Sequence, residues 1–184
     1  MRSRFFLTGL TLLLASFAGG CSSLSFIPAD AMATLANPSH VEAYRTGTID
    51  DHPGYGGKMD GFAVFQTGDV TPDLTRTLAA IVADPSTYID ATRPDDFVPL
   101  AGYRFYRRLD EGGGQVSIDV LVSFDCDEIL LVAHDKRQKE NFRRLIESDP
   151  GRGKLLEITR NTFSSDVSIQ ALPEVRAPST EEAQ

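Results

Sequence analysis

The chain has 184 residues, of which 41% are hydrophobic and 24% charged, a composition typical of a soluble globular domain rather than a disordered chain. Asp and Glu total 26 against 18 for Lys and Arg, and this net charge of -8 argues against nucleic acid as a partner, because nucleic-acid binding needs cationic patches. With two cysteines and three histidines the chain is not a disulfide-rich scaffold, and we expect no cofactor.

The N-terminus has the features of an export signal. Arg2 and Arg4 form a short basic start, and an apolar run follows over residues 5–18. This run is shorter than the ~20 residues that a membrane-spanning helix needs, and small residues and Cys21 follow it at once. We therefore predict a signal peptide over residues 1–20.

The segment AGGC at residues 18–21 resembles the lipobox of bacterial lipoproteins, in which Leu usually stands where this chain has Ala18. The resemblance implies that Cys21 is diacylated on its sulfur and becomes the new N-terminus; plain cleavage that leaves Cys21 a free thiol is the alternative. Ser22 after the cysteine is similar to the sorting pattern of outer-membrane lipoproteins. The expected location is therefore the outer membrane, with the protein held by an N-terminal lipid and facing the periplasm.

The composition divides the rest of the chain into three parts. Residues 21–39 are small and rich in Ser, Ala and Pro, which is typical of a tether between a lipid and a domain. Residues 174–184 carry almost nothing apolar, which predicts a disordered tail. Between them, residues 40–173 are expected to form a single domain.

The first predicted elements of this domain are a loop, a strand and a helix. Residues 51–61 are rich in glycine and predict a flexible surface loop, whereas residues 61–67 have strand-forming side chains. Thr71, followed by Pro and Asp, is a typical helix start, and Pro85 ends the helix. The apolar stripe of this helix consists of Leu74, Leu78, Ile81 and Val82.

A β-hairpin is the clearest signal in the sequence. Residues 102–109 alternate, and from Val116 to Cys126 every even position is apolar while the odd positions are mostly polar. Such alternation predicts one buried face and one solvated face, because successive side chains of a strand point to opposite sides. With a loop at residues 110–115, the predicted register pairs Phe105 with Val120, Tyr103 with Val122 and Tyr106 with Asp119.

The remaining segments predict a further strand and two short helices. Residues 129–133 are a short apolar run, and residues 141–146 and 155–163 show helical spacing of apolar side chains. Because three successive strands with short links favour antiparallel pairing, we predict an α+β fold. It would have an antiparallel sheet of about four strands and two or three helices packed on one face.

Two candidate surfaces lie on this hairpin. Arg104, Tyr106 and Arg108 share the predicted solvated face with Asp119, where cross-strand ion pairing and the binding of an anionic or aromatic ligand are the two interpretations. Their composition favours ion pairing, since exposed pairs are common in sheets.

The second surface is acidic. Asp125, Asp127 and Glu128, together with Asp119, are candidate ligands for a hard cation such as calcium or magnesium, or else a solvated strand end. Cys126 is a candidate thiol nucleophile. Its position on the apolar face favours a buried small hydrophobe instead, and its acidic neighbours would raise the thiol pKa.

Residues 119–127, with the preceding strand, resemble a group of small uncharacterised bacterial secreted proteins and lipoproteins, which show Cys-Phe-x-Cys where this chain has Ser at position 123 and Cys126. This resemblance implies no activity. We therefore expect a lipid-anchored envelope protein that is a non-enzymatic binding or structural module with an envelope protein as partner. The alternative is a secreted enzyme with an acidic metal site or a thiol at the end of the central strand.

Overall fold

The computed structural model describes residues 27–51, 57–92, 96–109, 113–135 and 137–175. The predicted signal peptide and the lipid-anchor cysteine, Cys21, therefore lie outside the described residues, as does most of the predicted tail. Within the described ranges no helix is long and apolar enough to cross a bilayer.

The described residues form an α+β domain around one antiparallel sheet with the strand order β2-β3-β1-β4-β5-β6-β7. The strands are β1 (His40–Gly47), β2 (Gly57–Met59), β3 (Phe62–Gly68), β4 (Ala101–Arg108), β5 (Gln115–Ser123), β6 (Glu128–His134) and β7 (Glu140–Glu147). The α-helices are α1 (Ala29–Ala36), α2 (Pro72–Ala83), α3 (Arg152–Thr162) and α4 (Val167–Gln170), and short 3-10 turns cover Pro85–Thr87 and Asp149–Gly151.

The predicted fold class is correct, but four strands was an undercount. The strand predicted at residues 61–67 is β3, and Thr71 caps α2 through its side-chain oxygen as predicted. The helix predicted at residues 141–146 is instead strand β7, which lies at an edge of the sheet. Most of its side chains are at least partly exposed, so the strand lacks the alternation that burial of one face imposes.

Helix α1 corrects the prediction of a tether over residues 21–39. The helix packs against α2 and against strands β4 and β5. Ile27, Ala31 and Leu35 are buried in the main core through these contacts. The folded domain therefore begins no later than Ile27, well before residue 40.

The β4–β5 hairpin has the predicted faces but a different register. Tyr103 and Phe105 are buried beneath the helices, as the alternation predicted. The observed pairing is displaced by two residues from the predicted one. Leu109 donates its N–H to the carbonyl of Gly114, so the two strands pair further into the predicted loop. An even displacement keeps every side chain on its face. The observed pairs are Tyr103 with Val120, Phe105 with Ile118, Tyr106 with Ser117 and Arg104 with Asp119.

The face of the sheet opposite the helices is buried, not solvated as predicted. Met59, from the end of β2, packs there with Leu121, Leu130 and Val132 in a second apolar cluster. A Cβ at position 102 would lie 2.5 Å from the Met59 sulfur, so any larger residue there would displace the Met59 side chain. Because the sheet curls, the β2–β3 hairpin at one edge folds over the face that β5 and β6 present away from the helices. The odd residues of β5 that this buries are Ser117, Asp119, Leu121 and Ser123.

Candidate functional site

A buried ion pair lies on this second face. Asp119 of β5 is fully buried and stands directly opposite Arg104 of β4. The Nε and Nη2 atoms of Arg104 donate to Oδ1 and Oδ2 of Asp119, each at 2.6 Å. This two-pronged geometry is the strong form of an arginine–carboxylate interaction. Of the two interpretations of the Arg104 surface, the structure therefore supports ion pairing, with the Asp119 side chain fully buried and that of Arg104 27% exposed.

Two further titratable side chains reach the same carboxylate. His134, the last residue of β6, places its Nε2 3.3 Å from Oδ2 of Asp119 and 3.7 Å from Oδ1 of Asp60. Asp60 comes from the turn between β2 and β3, near one edge of the sheet. The curl of the sheet brings that turn to strands β5 and β6. We call the group formed by Asp60, Asp119 and His134 the Asp60 centre.

The local sequence explains the position of Asp60. Asp60 has φ 48° and Gly61 has φ 92°, and two consecutive positive φ angles are typical of a two-residue type I′ hairpin turn. Asp-Gly is a preferred pair for that turn. The glycine-rich composition of residues 51–61 predicts a loop and does not indicate this site. The Asp-Gly pair, flanked by Met59 and by Phe62, was the available signal.

Within the Asp60 centre the pKa values of Asp60 and His134 are raised, whereas the pKa of Asp119 is lowered. Burial and the neighbouring Asp119 carboxylate raise the pKa of Asp60 to about 7, against the lowering effect of His134. Burial acts to raise the pKa of Asp119 as well, but the hydrogen bonds and charge of Arg104 outweigh burial and hold it below its usual range. The hydrogen bond to Asp119 raises the pKa of His134 against the opposing effect of burial. Negative charge is therefore concentrated on Asp119, and protons are favoured on its neighbours.

Tyr106 of β4 contacts residues of β1 instead of the Asp60 centre. Its hydroxyl donates to Oε2 of Glu42 at 2.8 Å, and the hydroxyl of Tyr44 donates to the same oxygen at 2.5 Å. The Tyr106 ring stacks on His40 with ring centroids 5.8 Å apart. Arg108 lies exposed at the end of β4, opposite the first residue of β5. The structure thus brings Arg104 and Asp119 together but leaves Tyr106 and Arg108 outside the Asp60 centre.

The acidic residues predicted as one cation site differ in their exposure to solvent and do not form a single group. Asp125 is exposed in the β5–β6 turn, whereas Asp127 and Glu128 are buried. Asp127 accepts a hydrogen bond from Nη1 of Arg152, which lies at the start of α3. The interpretation of Asp127 and Glu128 as a solvated strand end is therefore also wrong, since both side chains are inside the protein.

Cys126 is buried, as the alternation predicted. Strand β5 ends at Ser123, so the thiol belongs to the β5–β6 turn and not to the strand itself. Burial raises the pKa of Cys126 to about 11, and the neighbouring Glu128 carboxylate adds to the shift. A buried thiol with a raised pKa is a poor nucleophile at neutral pH.

Comparisons of this chain with family models, with curated proteins and with solved structures give no match. The chemistry of the chain must therefore be inferred from its own geometry. Within the described residues, the Asp60 centre combines two carboxylates and one imidazole from three different elements. Such a set can hold a cation or exchange a proton.

Proposed function

We propose that this protein is exported and acylated on Cys21. It would display its α+β domain as a binding module at the periplasmic face of the outer membrane. The basic start, the apolar run and the AGGC segment at residues 18–21 support this proposal. The AGGC segment carries the proposal, and because the domain begins no later than Ile27, loss of residues 1–20 and acylation of Cys21 would leave every described helix and strand intact.

The short distance along the chain between Cys21 and Ile27 limits how far the domain can move from the lipid. An extended chain spans at most ~3.3–3.6 Å per residue, so Ile27 would stay within roughly 20 Å of the acylated residue. The first helix would then lie close to the bilayer surface. A domain confined in this way meets membrane-associated partners, so we propose an envelope protein as its partner.

The proposal does not extend to an enzyme at Cys126 or at the acidic residues of the β5–β6 turn. Asp125 is exposed and separate from the buried Asp127, and Cys126 is a buried thiol with a raised pKa. These observations favour the binding module over a thiol enzyme or an enzyme with its metal at the β5–β6 turn.

Substitution of the two cysteines tests the anchor. Cys21→Ala should remove the acylation site and release the protein from membranes into the soluble fraction, because the acyl chains supply the membrane affinity. Cys126→Ala is the matched control, since this buried thiol lies outside the proposed anchor. The measurement is membrane fractionation with intact-mass analysis, in a bacterium that processes lipoproteins.

Two results decide the proposal. Membrane association and added acyl mass in the wild type and in Cys126→Ala, with both lost in Cys21→Ala, would support it. An unmodified wild-type mass, or a Cys21→Ala variant that stays on the membrane as the wild type does, would reject it.

A further inference from the structure

Three potential metal ligands converge at the Asp60 centre. One carboxylate oxygen from each aspartate and one imidazole nitrogen of His134 lie within 4.8 Å of one another. The ligands come from the β2–β3 turn, from β5 and from the end of β6. Pairing of β5 with β6 fixes Asp119 and His134, and packing of the β2–β3 hairpin on that face places Asp60 beside them, so the ligands are held in advance as a preorganised binding site needs.

One atom of this group is buried without a partner. The Asp60 side chain is only 7% exposed, and its Oδ2 makes no hydrogen bond. Buried carboxylate oxygens are normally satisfied by a donor or a cation, because desolvation without compensation is unfavourable. The unpartnered oxygen of Asp60 therefore has the capacity to coordinate a cation.

We propose that the Asp60 centre binds one divalent transition-metal ion, with Zn²⁺ the best fit, through Asp60, Asp119 and His134. Imidazole nitrogen favours zinc and its neighbours over calcium and magnesium, which prefer sets of oxygen ligands. Ligands about 2.0–2.2 Å from a tetrahedral zinc ion lie about 3.3–3.6 Å apart. The distances from His134 Nε2 to the two carboxylates, 3.3 and 3.7 Å, are close to that spacing.

Arg104 would orient Asp119 without excluding the ion. Each carboxylate oxygen has two lone pairs, so Oδ2 of Asp119 can accept from Arg104 and still coordinate a metal. Arg104, and Arg143 on β7 nearby, weaken the attraction for a cation, so we expect weaker binding than at a closed structural zinc site.

The test is a calorimetric titration with Zn²⁺ alone. This inference does not depend on the lipid anchor, so the full chain carrying Cys21→Ala is used after treatment with EDTA. We expect one saturable site and a rise in melting temperature on zinc addition. Asp60→Asn should weaken binding at least about tenfold, since it removes a ligand charge while Asn tolerates the same turn. His134→Gln should act in the same direction.

Two further variants serve as controls. Asp125→Asn removes an exposed carboxylate, and His40→Gln removes a histidine that lies 3.5 Å from Glu42 on the surface. Both should bind zinc as the parent does. Absence of a saturable site, an unchanged affinity in Asp60→Asn, or loss of binding in His40→Gln but not in His134→Gln would overturn the proposal. The melting temperatures without metal show whether each variant is folded.

Discussion

Arg152 and Asp127 form a nearly fully buried ion pair beneath the β5–β6 turn. The guanidinium also donates to the carbonyl of Phe124 at 2.7 Å, and to the carbonyls of Pro173 at 3.0 Å and Glu174 at 3.2 Å. One side chain therefore joins the turn, the start of α3 and the end of the described chain. Because these groups are shielded from water, the pair should matter more to stability than an ion pair at the surface.

Arg152→Met should lower the free energy of unfolding by about 3–5 kcal/mol, since it leaves the Asp127 carboxylate buried without its cation. Adding Asp127→Asn to that variant should restore part of the loss, because it removes the unpaired charge. Urea unfolding followed by circular dichroism measures both changes.

Arg76→Met is the matched control for this prediction. Arg76 pairs with Asp73 on the surface, where the two side chains are 74% and 85% exposed, so its loss should cost no more than about 0.5 kcal/mol. Equal costs for Arg152→Met and Arg76→Met would contradict the burial of the Arg152 pair.

At the residue scale, the sequence correctly predicted the face of the strand on which each residue lies. It did not predict whether that face is exposed to solvent. The alternation correctly predicted that Tyr103, Phe105 and Cys126 are buried. It could not show that Asp127 is buried, because the arginine that compensates its charge lies on a helix distant in sequence. Pairing across the fold is not a local pattern, so the polar interior was missed.

At the scale of elements, those with a continuous local signal were predictable. The cap and apolar stripe of α2 and the alternation of the β4–β5 hairpin each specify their structure over several residues. Strand β2 has three residues, and β7 has one well-buried apolar side chain, Ile146. Such edge strands are selected by pairing with a neighbour, which a single segment does not reveal.

Helix α4 is held by its N-cap residue, Asp166. Oδ1 of Asp166 accepts the backbone N–H groups of Ser168 at 2.9 Å and Ile169 at 3.1 Å, and Oδ2 accepts Nε of Arg45 at 2.9 Å. Burial acts to raise the pKa of Asp166, but the hydrogen bonds from the Ser168 hydroxyl, Arg45 and the Ile169 N–H, together with the arginine charge, outweigh it and lower the pKa to about 2. The ionised cap therefore stabilises the folded state.

This cap should make stability depend on pH in the acid range. Since the folded pKa lies below the unfolded one, the stabilisation is complete above about pH 4 and is lost as pH falls towards 2. Asp166→Asn should be less stable than the wild type by about 1–2 kcal/mol at pH 6, and this difference should shrink towards pH 2. Urea unfolding of both proteins from pH 2 to 6 measures it. A difference that stays constant over this range would contradict the assignment.

At the scale of the whole molecule, one curled sheet carries apolar clusters on both faces. The helices cover one face, and the β2–β3 hairpin of the same sheet covers the other. This second layer turns a row of polar residues on β5 from a surface into an interior, and it delivers Asp60 to Asp119 and His134. The fold class followed from the sequence, but the Asp60 centre did not, because it exists only once the sheet has curled.

The same packing defines where the domain begins, and truncation tests it. A chain of residues 27–184 should unfold as cooperatively as the full chain carrying Cys21→Ala, since every described element is retained. A chain of residues 38–184 lacks α1 and should be several kcal/mol less stable, because each large apolar side chain that leaves the core costs about 1.5–3 kcal/mol. Urea unfolding of the three chains gives the comparison.

Leu35→Ala in the full chain separates packing from chain length. Leu35 is completely buried, so the substitution alone should cost about 2–5 kcal/mol. If residues 38–184 were as stable as residues 27–184, α1 would be a passive part of a long tether and the domain could stand well away from a lipid on Cys21. If α1 is needed, the lipid and the sheet are joined by only a short segment. Any partner of the anchored protein must then bind to a domain held against the membrane surface.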